Sequence, residues 1–346
     1  LDLSDDVFSY DGSGPAAQQP VVDTTPVTEP EAPVTEPEAT VTEPEATVTE
    51  PEAPVTEPEA EAEAPAEVAE MPEDQILVGT EVGDDLMGGD GNDVLRGGAG
   101  ADFLVGGKGD DLIMGGKDQD DIIAGEGNDM VHGAGGKDRI FGDDGDDEIV
   151  GGDAADMLYG GEGDDTFIGF DGDDNDIIFG GAGSDTIDLS AMTEALEIRL
   201  GNAGTERGSV SSTTQADTIW SIENVIGGFG DDKIIASEAA NTLDGGDGND
   251  TFVFETTSAT AGTKILGFSA GDVVSFSGID ANSTTEARDA FTLAGRDATI
   301  DVGELTFTHD ADEGENFTTI TGMTNEGEFQ LKLSGHINLD EENFLL

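Results

Sequence analysis

The chain has 346 residues, with 79 acidic against 12 basic side chains and a formal net charge of −67. Charge of this sign and size excludes nucleic acid and anionic membranes as electrostatic partners, and it suits divalent cations. There is no cysteine, and the only histidines are His132, His309 and His336, so zinc or copper sites of the usual kind are not expected.

The chain opens LDLSDDVFSY, which has neither the basic nor the apolar region of a secretory signal peptide. It starts with Leu1, so it reads as a processed protein or a piece of a longer one. All 12 prolines lie at or before Pro72, and no Lys or Arg precedes Arg96. From Val27 to Ala60 the heptapeptide VTEPEA(P/T) recurs. A seven-residue period invites a coiled coil, but each copy carries proline and a single strong apolar residue. Residues 1–75 therefore read as an extended, self-repelling acidic linker. No apolar run in the chain is long enough to span a membrane.

From Gly79 to Asp188 the sequence repeats every nine residues: GGDGNDVLR, GGAGADFLV, GGKGDDLIM and onward. Gly169 and Phe170 interrupt it once. The sixth position is always Asp: Asp84, Asp93, Asp102, Asp111, Asp120, Asp129, Asp138, Asp147, Asp156, Asp165, Asp176 and Asp185. The eighth is always large and apolar, from Leu86 and Leu95 to Ile178 and Ile187.

Glycine dominates positions one, two and four, where it permits the positive φ of a tight turn. The last three residues of each block are expected to form a short strand, with position eight facing in and seven and nine facing out. Two blocks make one coil, so blocks i and i+2 stack about 4.8 Å apart. Stacking sorts the aspartates into two ladders, one running Asp84, Asp102, Asp120 and the other Asp93, Asp111, Asp129. Carboxylates about 5 Å apart repel by roughly 0.8 kcal/mol per pair even in water. A cation between rungs reverses that sign. Carboxylates with turn carbonyls make the flexible all-oxygen cage that calcium takes, whereas magnesium demands stricter octahedral geometry. Without a cation, one aliphatic residue in nine is too little core to offset chain entropy.

Residues 189–226 lose the nonapeptide, and ALEIRL and DTIWSIENVI read as strands with Trp220 in the core. The repeat returns at 227–253, with Asp232, Asn241 and Asp250 in sixth position. Asn241 offers a neutral oxygen and so a weaker rung. In residues 254–346, TKILGF, DVVSFSG, ELTFTHD, NFTTITG and EFQLKLSG read as strands, and TEARDAF as a helical turn or two.

The pattern GGxGxDxUx resembles the calcium-binding nonapeptide of RTX proteins. From Leu189 on, SIENVIGGFGDD, ANTLDGGDGNDTFVF, ILGFSAGDVVSFSGID and the terminal INLDEENFLL resemble the C-terminal region of serralysin-type secreted metalloproteases. The resemblance implies an all-β, right-handed parallel β-roll with calcium in its turns. It also implies export by type I secretion machinery, guided by an uncleaved signal in the last few dozen residues. Serralysins carry H-E-x-x-H upstream, and no histidine here has that context; nor is there a G-x-S-x-G element.

The expected organisation is a linker (1–75), a main roll (76–188), a connecting β segment (189–226), a short second roll (227–253) and a C-terminal cap with the export signal (254–346). The expected function is that of a secreted, extracellular, non-catalytic calcium-binding module. The alternatives are the tail of a larger extracellular enzyme (a protease, lipase or polysaccharide-modifying enzyme) and a calcium-dependent adhesin or surface-matrix protein. A column of apolar ninth-position residues, Met87, Val105, Ile123, Phe141, Tyr159 and Phe179, reads either as β-propensity simply left exposed or as a face covered by the 254–346 segment or by a second copy.

Overall fold

A computed structural model describes residues 74–169, 175–202, 206–284, 289–312 and 315–346. All belong to one compact unit, Glu67–Leu346. The expected linker and most of the expected TEARDAF helix lie outside the described residues.

The alternation of inward and outward side chains builds two facing sheets. Among the described residues these hold 14 and 13 strands. Successive strands of the array fall alternately in one sheet and the other, and each pairs in parallel with the strand two further on. Leu104, for example, lies opposite Leu86 and Ile122, and Leu95 opposite Ile113. The eighth positions meet between the sheets: Leu95, Leu104, Ile113, Ile122, Val131, Ile140 and Ile149 are all fully buried. The architecture is an all-β parallel solenoid.

Most array strands are six residues long, as in Phe103–Lys108 and Leu112–Lys117, rather than the three that the apolar pattern marks. They run from position seven through position three of the next block. With no Cβ, the position-two glycine stays paired across coils at close approach, as Gly98 does with Gly116. Non-glycine residues take left-handed backbone at position two in Ala134 (φ 81) and Asp143 (φ 75), and at position four, in the turn, in Asp118 (φ 73) and Ala154 (φ 83).

The two-residue interruption leaves the register intact, with Tyr159 opposite Phe179. Beyond it, both sheets continue. The stretch DTIWSIENVI divides into Ala216–Trp220 in one sheet and Asn224–Ile226 in the other. Ile219 takes the inward position, so Trp220 sits outside at position nine, half-buried, and not in the core. A hairpin of Glu197–Arg199 and Gly208–Ser211 is intercalated beside Ala216–Trp220 by antiparallel pairing.

The C-terminal strands join the ends of the same sheets instead of folding across the apolar column. Gly327–Ser334 pairs with Lys264–Leu266 and continues antiparallel through Glu315–Thr324 to Glu304–Asp312. The final strand, Phe344–Leu345, pairs with Val273–Ser275.

Candidate metal centres

Each turn delivers its sixth-position aspartate to the edge of the roll, just before the strand begins. Stacking then hands one carboxylate oxygen to the coil below. The backbone N–H of Asp93 donates to Asp111 Oδ1, that of Asp111 to Asp129, and that of Asp129 to Asp147, at 2.7–2.8 Å. The second ladder does the same from Asp84 through Asp102, Asp120, Asp138 and Asp156. Both ladders cross the interruption, from Asp156 to Asp176 at 2.8 Å and from Asp165 to Asp185 at 3.0 Å.

The other oxygen is the informative one. Oδ2 of Asp93, Asp102, Asp111, Asp120, Asp129, Asp138, Asp147, Asp165, Asp185 and Asp250 is buried and accepts no hydrogen bond. These residues are no more than 3% exposed. A buried acceptor without a donor costs about 1–3 kcal/mol, and more when charged. Against each such oxygen except that of Asp129, whose block begins with Ala124, lies the first glycine of the same block. A Cβ built on Gly97 would overlap both Asp102 Oδ2 and the Gly115 carbonyl; on Gly106, both Asp111 Oδ2 and the Ala124 carbonyl. Glycine therefore keeps open a space in which a carboxylate oxygen and a carbonyl of the next coil converge. Among the described residues no three His, Cys, Asp or Glu side chains come together as a metal group. The donors on offer are thus one or two carboxylates plus backbone carbonyls, an oxygen set that fits calcium.

Burial is the first cause of a raised carboxyl pKa along the array. It pushes Asp120, Asp147, Asp185 and Asp250 up to about 7, and Asp129 and Asp138 to about 6. The backbone N–H from the coil above pulls the other way in each case, and for Asp120 and Asp147 neighbouring rungs add repulsion. Asp111, Asp165 and Asp232 move up for the same leading reason.

The structure brings Asp84 through Asp185 into two unbroken ladders and places Asp232 and Asp250 in a third run, with Asp232 N donating to Asp250 Oδ1 at 2.9 Å. Asn241 stands apart, donating to the Glu223 carbonyl at 2.9 Å. Several rungs escape the nonapeptide pattern. Asp217 continues the ladder below Asp176, Glu223 that below Asp185, and Asp272 that below Asp250. Their signal is the surviving tail of the repeat: DTIW at 217–220, ENVI at 223–226 and DVVS at 272–275 keep positions six to nine without the glycines of positions two and four. Position five also carries a ladder, from Asp74 through Asn92, Asp110, Asn128, Asp146 and Asp164.

The histidines lie elsewhere. His132 is on an outward position of Met130–Gly135, and His309 stacks on His336 at 4.8 Å.

The RTX calcium-binding nonapeptide repeat matches this chain in four copies, at residues 78–113, 98–131, 114–149 and 132–167. The profile of the peptidase M10 serralysin C terminal matches residues 154–345, more than half of the chain. The chain belongs to the serralysin C-terminal family. As a serralysin C-terminal chain with an RTX array, it binds calcium, several ions to the array. No curated protein matches it. Among solved structures, the AlgE6R3 subunit of the Azotobacter vinelandii mannuronan C5-epimerase is 19% identical, with 59% of this chain and 80% of that chain covered and a TM-score of 0.22. Among the described residues no helix is long and apolar enough to cross a membrane.

Proposed function

We propose that this chain is exported unfolded through type I secretion machinery and folds outside the cell, where its carboxylate ladders take up calcium. The observation that carries this reading is the row of buried Oδ2 atoms without donors, all but that of Asp129 beside a space that glycine leaves open. The metal ligands are then the sixth-position aspartates of those rungs, Asp93 to Asp165 on the array together with Asp185 and Asp250. Bound there, calcium supplies positive charge and up to eight oxygen contacts in flexible geometry. The chain's own part is to stack the ladders, shield them behind the sheets and hold the turns open with glycine.

Calcium is scarce in a cytosol, and there the ladders repel and the chain stays extended enough to thread a channel. Outside, millimolar calcium matches sites of about 10⁻⁴–10⁻³ M affinity, and binding to the roll alone drives folding by linkage. As it stands the chain acts as a non-catalytic module, divided as its sequence suggests into linker, main array, connecting segment, second array and C-terminal cap. A second reading makes it the tail of a larger extracellular enzyme; the family, which is the C-terminal part of a peptidase class, favours that.

Export is tested in a type I-competent cell. The full chain should appear in the medium, and a chain lacking Asp340 to Leu346 should stay inside. Undiminished secretion of the truncated chain would refute the signal assignment.

A further inference from the structure

The rungs are not all alike. Oδ2 of Asp84 accepts from the N–H of Thr80 at 2.6 Å and from its hydroxyl at 2.9 Å. Oδ2 of Asp232 accepts from Gly228 N at 3.0 Å, and Oδ2 of Asp272 from Ser269 N at 2.6 Å. At Asn241 the side-chain oxygen accepts from Ser237 N at 3.1 Å. At these rungs the chain supplies its own donor to the oxygen that stands bare on the array.

The cause is strand length. After a six-residue strand the position-two residue remains in the sheet, as Gly98 does opposite Gly116. After a three-residue strand it leaves the sheet and its N–H turns towards the carboxylate. Ile76–Val78 precedes Thr80 and Asp84, Asn224–Ile226 precedes Gly228 and Asp232, and Lys233–Ile235 precedes Ser237 and Asn241. Lys264–Leu266 precedes Asp272 in the same way, although there the donor is the position-three residue Ser269. The carboxylate also shifts. A Cβ on Gly79 or Gly227 would meet Oδ2 at 2.7 or 2.8 Å, a looser approach than on Gly97 or Gly106, where the overlap is deeper. Asp250 is the instructive exception. It follows a short strand, Thr242–Asp244, but the Gly246 N–H is held by Asp244 Oδ1 at 3.1 Å, and Asp250 Oδ2 is left bare.

We infer that the solenoid has two kinds of rung: open rungs that take a cation, and closed rungs at Asp84, Asp232, Asn241 and Asp272 that stay metal-free at saturating calcium. The inference rests on the calcium reading of the ladders. It narrows that reading against the repeat pattern itself, since GGFGDD around Asp232 satisfies the motif in full. A closed rung needs no counter-charge to hold its turn, because the donated N–H replaces the cation bond. The two ends of the roll are therefore fastened by the chain, and the 227–275 region takes one cation, at Asp250.

The test counts calcium bound to the full chain at saturation, by native mass spectrometry, for the wild type and for Asp84→Asn, Asp232→Asn and Asp147→Asn, with circular dichroism to confirm folding. Asp84→Asn and Asp232→Asn should bind as many ions as the wild type, while Asp147→Asn loses at least one. A lower count for Asp84→Asn or Asp232→Asn would overturn the inference and leave the calcium reading standing. No bound calcium in the wild type would overturn both. Should Asp232→Asn fail to fold, Asp84→Asn, half-buried near the start of the roll, decides alone.

Discussion

At the scale of single residues, the array shows where its own rule is broken. Ala154 holds a left-handed turn position at φ 83, a conformation that costs an L-residue about 1–2 kcal/mol. Beside it, the three atoms nearest a Cβ on Gly151 all belong to Asp156, whereas Gly142 also faces the Gly160 carbonyl. Asp156 thus has a strained turn and a poorer oxygen cradle than Asp147. Asp147→Ala should raise the calcium midpoint more than Asp156→Ala does, and equal shifts would contradict the graded picture. Ala154→Gly should gain about 1 kcal/mol of stability in calcium, the relieved strain less the entropy cost of glycine. A thermal midpoint that stays put or falls would show that the turn is not strained.

Outer-face residues add a second term. Phe141, Tyr159 and Phe179 stack with centroids 4.6 and 4.9 Å apart and planes within 6°, and Trp220 extends the column at 6.2 Å. The rings turn their faces to one another and their edges outward. The column consequently stabilises the sheet that carries it. Replacing Phe141 and Tyr159 together by Ser should lower stability in calcium by roughly 1–3 kcal/mol, two stacking contacts at about 0.5–1.5 each. An unchanged thermal midpoint would show the column to be ornamental.

At the scale of the elements, the ladders couple folding to pH as well as to calcium. The folded carboxyls of Asp120, Asp147, Asp185 and Asp250 titrate near 7, above the unfolded value near 3.9. A raised folded pKa means that the folded state binds the proton more tightly. Their contribution to the metal-free fold is full below the unfolded value and is lost as pH rises through about 7. In chelator, the chain should therefore gain β structure as pH falls from 7 to 5, seen by circular dichroism. Over the same range protons compete with calcium, so the calcium midpoint should rise. A metal-free chain equally unstructured at pH 7 and pH 5 would show the carboxylates not to be buried as described.

The period of nine gave the sheets, the inward eighth positions, the stacking of block i on i+2 and the ladder residues, because each follows from two glycines, one acid and one aliphatic residue at fixed spacing. What stayed hidden depends on context between coils. Asp217, Glu223 and Asp272 lack the glycines at positions two and four that mark a rung, and only their stacking partners reveal them. Trp220 was expected inside on hydrophobicity, whereas parity with Ile219 sends it outside. The full strand length was masked because positions one to three have little side chain with which to declare a strand. The closed rungs were illegible, since Gly228 and Gly98 are the same residue in the same motif and differ only in whether the sheet keeps their N–H.

At the scale of the whole molecule, one continuous pair of sheets joins the repeat array to the C-terminal tail. Phe344 is 6% exposed, lies 6.4 Å from Phe276 between ring centroids, and sits on the last strand of its sheet. The tail proposed to guide export is thus part of the folded core, and the two uses belong to the unfolded and folded states respectively. Phe344→Ala should cost about 3–5 kcal/mol of stability in calcium, as for a buried phenylalanine. A loss below about 1 kcal/mol would show the tail to be only loosely docked.

The account stands or falls on calcium driving the fold. The direct measurement is a calcium titration of the full chain at pH 7.5, followed by far-ultraviolet circular dichroism with size exclusion in parallel. The account predicts an expanded, largely unstructured chain in chelator that gains β structure and contracts cooperatively as calcium approaches millimolar. A chain with the same spectrum and the same elution volume with and without millimolar calcium would contradict it.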